Sequence, residues 1–488
     1  MFGIMVRKEL KAILLSPKFP ATFAVCAGLM LLSVIIGVQE YNAAMRQYEI
    51  ARQLNELEMR EQPTWMSANG QAYRRPDVMQ VFVTGTNNDI GRYSRISSFQ
   101  PAKLQNSSYS DDPIFAVFRS VDFAFIVQSV LSLFAILFSY DAINGEREHG
   151  TLQLTFSNPS PRVQYLAAKF VGSWLGLVGP LTIPVLLSIL CVMVAGVPME
   201  FLHWMKLGVL LGISLLFFTC VLSFGLLFST LTRRSGVSFL ISLVAWIAAV
   251  LIVPRVGVMA AGQMVKVPSV AETEAQRDAY AKDQWEQHMA DLATRWKERD
   301  DPTKGMNKDE REGYRDERLA AWMEEDDAAR KLVQKNIEEY GLKLNEDLRN
   351  RKTEQERAGL TLARFSPASA YQLAVMNLAG TDITLKARYE DAIRAYRTTF
   401  NEFTAKKQKE TGSAGGFRIT VDSDRGFTFN APRDKGIVDV TILPQFSPPV
   451  QTFAEAVVPA AVDVGLMALY TVLALAGAML TFLRYDVR

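Results

Sequence analysis

DAINGEREHGTLQLTFSNPSPRVQYLAAK, residues 141 to 169, lies between two long apolar runs, yet it places Glu146, Arg147, Glu148 and His149 in succession between Gly145 and Gly150. A run of ionisable side chains does not stay in hydrocarbon, because each uncompensated charge taken out of water is costly. The chain therefore leaves the lipid here, and whatever flanks this connector crosses a bilayer. Asn144-Gly145 can open a turn, Glu146 and Glu148 suit the positive N-terminal end of a short helix as surface groups, and Leu152, Leu154 and Phe156 supply one apolar side. Asn158-Pro159-Ser160-Pro161 stops that helix. On these residues alone, a bare linker and a docking element for a soluble partner are equally compatible.

Outward from the connector, the composition demands segregation. The 488 residues are 49% hydrophobic and 21% charged, too apolar for an ordinary soluble protein and too charged for a wholly buried one. The apolar residues gather in six runs of roughly the 20 residues that one bilayer crossing needs: Phe19–Val38, Phe123–Tyr140, Phe170–Gly196, Leu207–Leu231, Val237–Val253 and Val464–Leu483. Pro180 and Pro184 are expected to kink the third. Before the first run, MFGIMVRKELKAILLSPK spaces apolar residues helically among Arg7, Lys8, Lys11 and Lys18 and reads as an interfacial helix. A signal peptide is the competing reading, but the run exceeds an ordinary h-region and has no obvious small-residue cleavage site. It is taken as a retained first span.

Basic residues orient the chain. With a cytoplasmic N-terminus, the cytoplasmic side holds Arg7, Lys8, Lys11, Lys18, Arg147, Arg162, Lys169, Arg233, Arg234, Arg484 and Arg488, whereas the short opposite loop at 197–206 holds Lys206. This satisfies the positive-inside rule. The expected organisation is an interfacial helix with span one at 1–38, a first extracytoplasmic insert at 39–122, spans two to five at 123–253, a second extracytoplasmic domain at 254–463, and span six with a cytoplasmic tail at 464–488.

In the first insert, helix-forming sequence after Glu40 can prolong span one, Val81–Thr84 suggests a strand, and Asn87-Asn88 suggests a turn. In the second, Ala271–Arg299 and Asp309–Asn350 lack proline and carry apolar residues at helical intervals, which predicts long amphipathic helices, an antiparallel hairpin being favoured over a partner-binding coiled coil. Ser366-Pro367 can start a further helix and Gly380 can end it. Leu385–Lys409 reads as a charged helix, and Phe417–Val421, Phe427–Asn430 and Val438–Leu443 read as short strands. Residues 268–411 are expected to form one helical body off the membrane. The fold class is an α-helical integral membrane protein with six spans and a mainly helical extracytoplasmic domain carrying a few short strands.

Catalytic constellations are sparse. There is no GxxxxGK[ST] phosphate loop, so this chain is not expected to hydrolyse nucleotide by phosphate-loop chemistry. His149, His203 and His288 stand apart, and Cys26, Cys191 and Cys220 all lie in apolar runs, so neither a metal site nor a disulfide framework is indicated. No cofactor and no nucleic-acid partner is expected. Asp122 and Asp463 border spans and are expected at the interface.

GEREHGTLQLTFSNPSPR, followed seven residues after Arg162 by Lys169, resembles the GExExGTLxxLLxxPxxR signature of ATP-binding-cassette permeases of the ABC-2 type, departing at Thr155 and Phe156 where two leucines are usual. In that family the segment is a coupling helix seated in a cleft of a separate ATPase subunit. The resemblance implies ATPase-coupling roles for Gly145, Glu146, Arg147, Glu148, Gly150, Thr151, Leu152, Pro159 and Arg162. It also implies a bacterial inner-membrane protein paired with a second permease copy or paralogue and contacting membrane lipid. FSPASAYQLAVMNLAGTD, from Phe365, resembles a segment of the subgroup with enlarged extracytoplasmic inserts, similar to permeases linked to multi-copper enzyme maturation, which implies a periplasmic partner. An anchored scaffold or mechanotransmitter that moves no solute is the alternative. An ion-driven carrier is disfavoured by uncharged runs three and four.

Overall fold

The computed structural model describes residues 2–60, 70–88, 90–96, 104, 122–157, 161–297, 308–410, 418–422, 426–430 and 442–484, with side chains except at 295–297, 308–324, 408–409 and 418–430. Among these residues, six helices are long and apolar enough to cross a membrane: Lys18–Arg60, Phe123–Glu148, Arg162–Val194, Phe201–Leu231, Ser235–Met264 and Phe453–Leu483. All six expected spans are present. Most are longer than their apolar runs, because helix propagates into flanking polar residues at little cost once nucleated. The first runs through Glu40 to Arg60, and the third passes unbroken through Pro180 and Pro184. The second and fifth each contain a π-helical stretch, Ile126–Leu131 and Ala248–Ile252.

Two compact units divide the chain: Met1–Val256 with Ala363–Arg488, and Gly257–Leu362. In the first, the N-terminal helix Phe2–Leu14 lies along the third span. Glycine makes that approach possible: a Cβ at Gly172 would stand 2.6 Å from Glu9 Cβ. Small residues one helical turn apart bring helix backbones together in this way, as in other membrane helix pairs.

Pro367–Ala379 is a helix with both ends sealed. Ser366 Oγ accepts the Ala368 and Ser369 amides, and Gly380 closes the C-terminus at φ +74°. These are the start and stop signals read from the sequence. Its placement was not foreseen. Nearly every residue in it is buried, and it packs on the fourth and sixth spans, with Tyr371 stacked on Phe217 at 4.7 Å and bonded to Ser214. The expected single body at 268–411 is thus divided between the two units, at Leu362 and Ala363.

The first insert also joins this unit. Met59, Ala72, Ile90, Ile96 and Leu104 share a core with Leu385, Tyr389, Ile393 and Phe400 of the helix Thr384–Glu410. Val81–Thr84 is not a strand. Asp77 accepts the Met79 amide at 2.8 Å and starts a 3-10 turn over Val78–Val81. Residues Val78 to Val83 are buried on every side rather than alternately, against a first span whose Gly37 leaves room for Val81 O. The expected turn at Asn87-Asn88 is present. Unforeseen strands Gly70–Tyr73 and Tyr93–Ile96 pair antiparallel, and two of the expected strands are present as Arg418–Asp422 and Gly426–Asn430, which pair antiparallel. The third expected strand, Val438–Leu443, falls mostly outside the described residues.

The second unit holds the predicted hairpin, Val270–Lys297 and all but the last residue of Lys308–Ala363, the latter running past the expected end at Asn350. Tyr280 stacks on Tyr340 at 4.1 Å, Arg277 lies against Gly341, and His288 meets Asp326 at 3.4 Å, an antiparallel register.

Candidate functional site

The connector is two short helices, Asn144–Glu148 and Thr151–Phe156, hinged at Gly150 with φ +71°. A side chain is strained in that left-handed region, and glycine is not. Asn144 does not open a turn as expected; it lies inside the first short helix, fully buried, and donates from Nδ2 to Thr232 Oγ1 at 3.0 Å. Ile143 N donates to Ser229 Oγ at 2.9 Å. The connector is therefore sewn to the end of the fourth span before its charged residues begin.

Glu146 is not a free surface group. Its Oε1 meets Lys169 Nζ at 2.8 Å and Lys8 Nζ at 3.3 Å, and its Oε2 accepts the Tyr165 hydroxyl at 2.6 Å. Lys169 Nζ also meets Glu9 Oε2 at 2.8 Å. The Lys169 side chain is 8% exposed, with Glu9 at 12% and Glu146 at 15%. One ammonium thus bridges two carboxylates from the N-terminal helix and the connector, with the third span supplying both Lys169 and Tyr165. Buried charge is tolerated here because every member has an opposite partner.

Glu148 is likewise engaged. It accepts Ser235 N at 3.0 Å and Ser235 Oγ at 2.5 Å, which puts a carboxylate on the positive N-terminal end of the fifth span. Both acids thus hold the connector, Glu146 from a largely covered position and Glu148 while still exposed. The remaining expected residues divide by role. Thr151 Oγ1 donates to Glu146 O across the hinge at 3.1 Å. Gly145 lies over Asp141, and Arg147 is half-buried. Arg162 Nη1 donates to Leu483 O at 2.6 Å, placing a cation on the last carbonyls of the sixth span. Pro159 lies outside the described residues.

The apolar side also splits. Leu152 is 1% exposed in a core with Ile143, Leu166, Leu226 and Phe482, while Leu154 is 70% exposed. Phe156, where the resemblance leads one to expect leucine, turns inward against Tyr165 at 5.2 Å and Phe482 at 6.1 Å. The two short helices present outward Glu148, Thr151, Gln153 and Leu154, with His149 and Gly150 between them, a small rigid knob carrying one large exposed aliphatic side chain.

Sequence reasoning missed Glu9, Tyr165 and Ser235. The available signal was Glu9 itself, a lone acid amid Arg7, Lys8 and Lys11. The two bordering acids are buried within the protein. Asp463 is fully buried and pairs with Arg364, Nε to Oδ1 at 2.6 Å. Asp122 is buried and accepts the Thr84 and Phe125 amides, each at 2.8 Å, capping the second span. Burial raises its carboxyl to about 6 against those bonds. Among the described residues no group of His, Cys, Asp and Glu has the spacing to hold a metal ion.

Comparison with known proteins agrees with this architecture. A stretch of 105 residues, 19% of this chain, is 40% identical to the "Probable ABC transporter permease protein NosY" of Stutzerimonas stutzeri, of which it spans 37%. Residues 4–487 match the family described as "ABC-2 family transporter protein". Six apolar helices, the second and third joined by the Asp141–Lys169 connector, and a family match over almost the full length lead to one conclusion: the chain belongs to the ABC-2 family of transporter proteins.

Proposed function

We propose that this chain is the membrane subunit of a transporter powered by a separate ABC ATPase, and that the Gly150–Leu154 edge of the connector is where the ATPase seats. One observation carries the reading: Leu154 is held out at 70% exposure by a connector whose other large apolar residues, Leu152 and Phe156, point inward. A flexible linker would not need Glu146, Glu148 and Asn144 fastened to three different elements. A rigid knob does, because a push delivered at its tip must move the spans and not merely bend the loop. Motion at the ATPase would enter as a difference in contact between two states and pass through Glu146 and Lys169 into the N-terminal helix and third span.

The connector and both termini are cytoplasmic in this reading, in the inner membrane of a bacterium, and a second permease copy completes the assembly. The asymmetry of basic residues supports that orientation. Cysteine at Ser157 should resist an impermeant thiol reagent in intact cells and cysteine at Gln334 should react; the reverse pattern overturns the orientation.

The coupling test is Leu154→Asp in membranes of the native host. The wild-type chain should copurify with an ABC ATPase and stimulate its turnover, and the variant should lose at least tenfold of that stimulation while keeping its own thermal midpoint. A Leu154→Asp protein that retains full ATPase stimulation removes the coupling reading. Whether the assembly exports a solute or performs work on an envelope partner is decided by replacing 268–362 with a Gly/Ser linker. Unchanged transport assigns the work to the spans, while loss of activity with persistent ATP turnover assigns it to the hairpin and favours the mechanotransmitter.

A further inference from the structure

Arg74 follows the strand Gly70–Tyr73 and is only 7% exposed. Its Nη2 donates to Asn87 O at 2.7 Å and its Nη1 to Asn87 Oδ1, while Gln80 Oε1 accepts from Asn87 Nδ2 and fixes the amide. The Nε has no acceptor, and among the described residues no carboxylate pairs with this guanidinium. The ring of Tyr389 covers one face at 5.8 Å. Five fixed donors and a delocalised charge buried without an anion are expensive. Burial brings the Arg74 guanidinium down to about 10, and the like charge of Arg92 acts in the same direction.

Arg74 opens onto a cavity of about 180 Å³ whose lining includes Gln47, Tyr48, Tyr73, Arg92 and Tyr93. Arg92 is exposed and touches Gln47 Oε1 at 3.4 Å. The rings of Tyr73 and Tyr93 stand 6.1 Å apart. A second depression of about 440 Å³ shares Tyr48 and adds Arg52, Arg75 and the carboxylate of Glu49. Asp77 and Glu58 are also nearby: the Asp77 carboxylate is occupied by the Met79 amide, and Glu58 lies toward Tyr73.

We propose that this cavity is a binding site for a small oxyanion, a carboxylate or phosphate monoester, carried on an aromatic or short apolar body. The oxyanion sits between Arg74 and Arg92, where planar guanidinium forks match its geometry. The body lies on the faces of Tyr73 and Tyr93. The Gln80–Asn87–Arg74 chain holds the buried arginine in place before the ligand arrives, so little ordering is left to be done on binding. The site is independent of the connector and of the coupling reading.

The test uses the full-length protein in phosphatidylcholine nanodiscs, titrated calorimetrically with phenylphosphate, benzoate and inorganic phosphate. Phenylphosphate should bind saturably and raise the thermal midpoint. Arg92→Gln should weaken it at least tenfold without moving the ligand-free midpoint, since Arg92 is exposed; Arg74→Gln should abolish it. Nanodiscs containing phosphatidylglycerol distinguish the sources of the oxyanion: competition with phenylphosphate assigns a lipid headgroup, and its absence assigns a soluble anion. No saturable binding of either aromatic anion overturns the proposal, as does undiminished binding by Arg92→Gln. Equal affinity for inorganic phosphate and phenylphosphate removes the role of the tyrosines.

Discussion

Lys169 and Arg351 are both basic side chains held by a carboxylate at 2.8 Å, yet they sit in opposite electrostatic worlds. Lys169 is 8% exposed and joins Glu9 to Glu146, residues far apart in sequence on separate elements. Arg351 is 50% exposed and pairs with Asp347 one turn back on its own helix, as Lys331 does with Asp327, while Lys335 pairs with Glu339 one turn ahead. In the hairpin, water screens each pair, and the charges serve helix propensity and solubility. At the connector, water is excluded, so the charges specify which helices meet. The number of ion pairs in a region therefore says little about what holds it together.

Removing the bridging ammonium should break this contrast most sharply. Lys169→Met leaves two carboxylates confined together and should destabilise the protein by roughly 3–5 kcal/mol, read as a fall in thermal midpoint in detergent. Adding Glu9→Gln and Glu146→Gln to it should recover most of the loss, because a neutral cluster has no charge to desolvate; failure to recover would mean that the ions act through packing instead.

Asp463→Ala comes next. It strands Arg364 beside the sixth span and should cost roughly 3 kcal/mol, less than Lys169→Met because Arg364 is 28% exposed and water can reach it.

Asp122 adds a pH dependence. Its folded value of about 6 lies above that of a free aspartate, so the native state holds the proton more tightly than the unfolded chain does. Its contribution is present in full below about pH 4 and is lost as pH rises to 6, a change of up to about 3 kcal/mol. Thermal midpoints measured across that window should fall with rising pH, and the fall should be shallower in Asp122→Asn.

Smallest of all, Arg351→Ala should shift stability by no more than about 0.5 kcal/mol. A loss comparable to that of Lys169→Met would erase the distinction drawn between the two regions.

How far the sequence could be read follows from the range of each interaction. All six spans were legible because hydropathy is a local sum, and the caps at Ser366 and Gly380 were legible because capping is settled within a few residues. The burial of Pro367–Ala379 was not: thirteen residues are too few for a span-length window, and they sit within a charged block. Val81–Thr84 has strand composition, but an Asp77 cap and the close approach at Gly37 decide its shape. At the connector, the sequence located the segment and its hinge glycine. It misjudged the burial of Glu146 and missed the partner of the exposed Glu148, because what they touch, Lys169, Tyr165 and Ser235, is brought there by tertiary packing alone.

The buried helix Pro367–Ala379 also imposes an order of assembly. It is synthesised after the fifth span and before the sixth, yet it rests on the fourth and sixth together. A nascent chain ending before Phe453 has this helix with only half of its seat, and Tyr371 then has Phe217 and Ser214 but no sixth span over it. Closure of the bundle must therefore wait for the last span, after the whole charged block ahead of it has been made. Photocrosslinks from position 371 to the fourth span in chains stalled at residue 445 would show whether the helix docks early and waits; their appearance only in released chains would show that both faces are engaged in one late step.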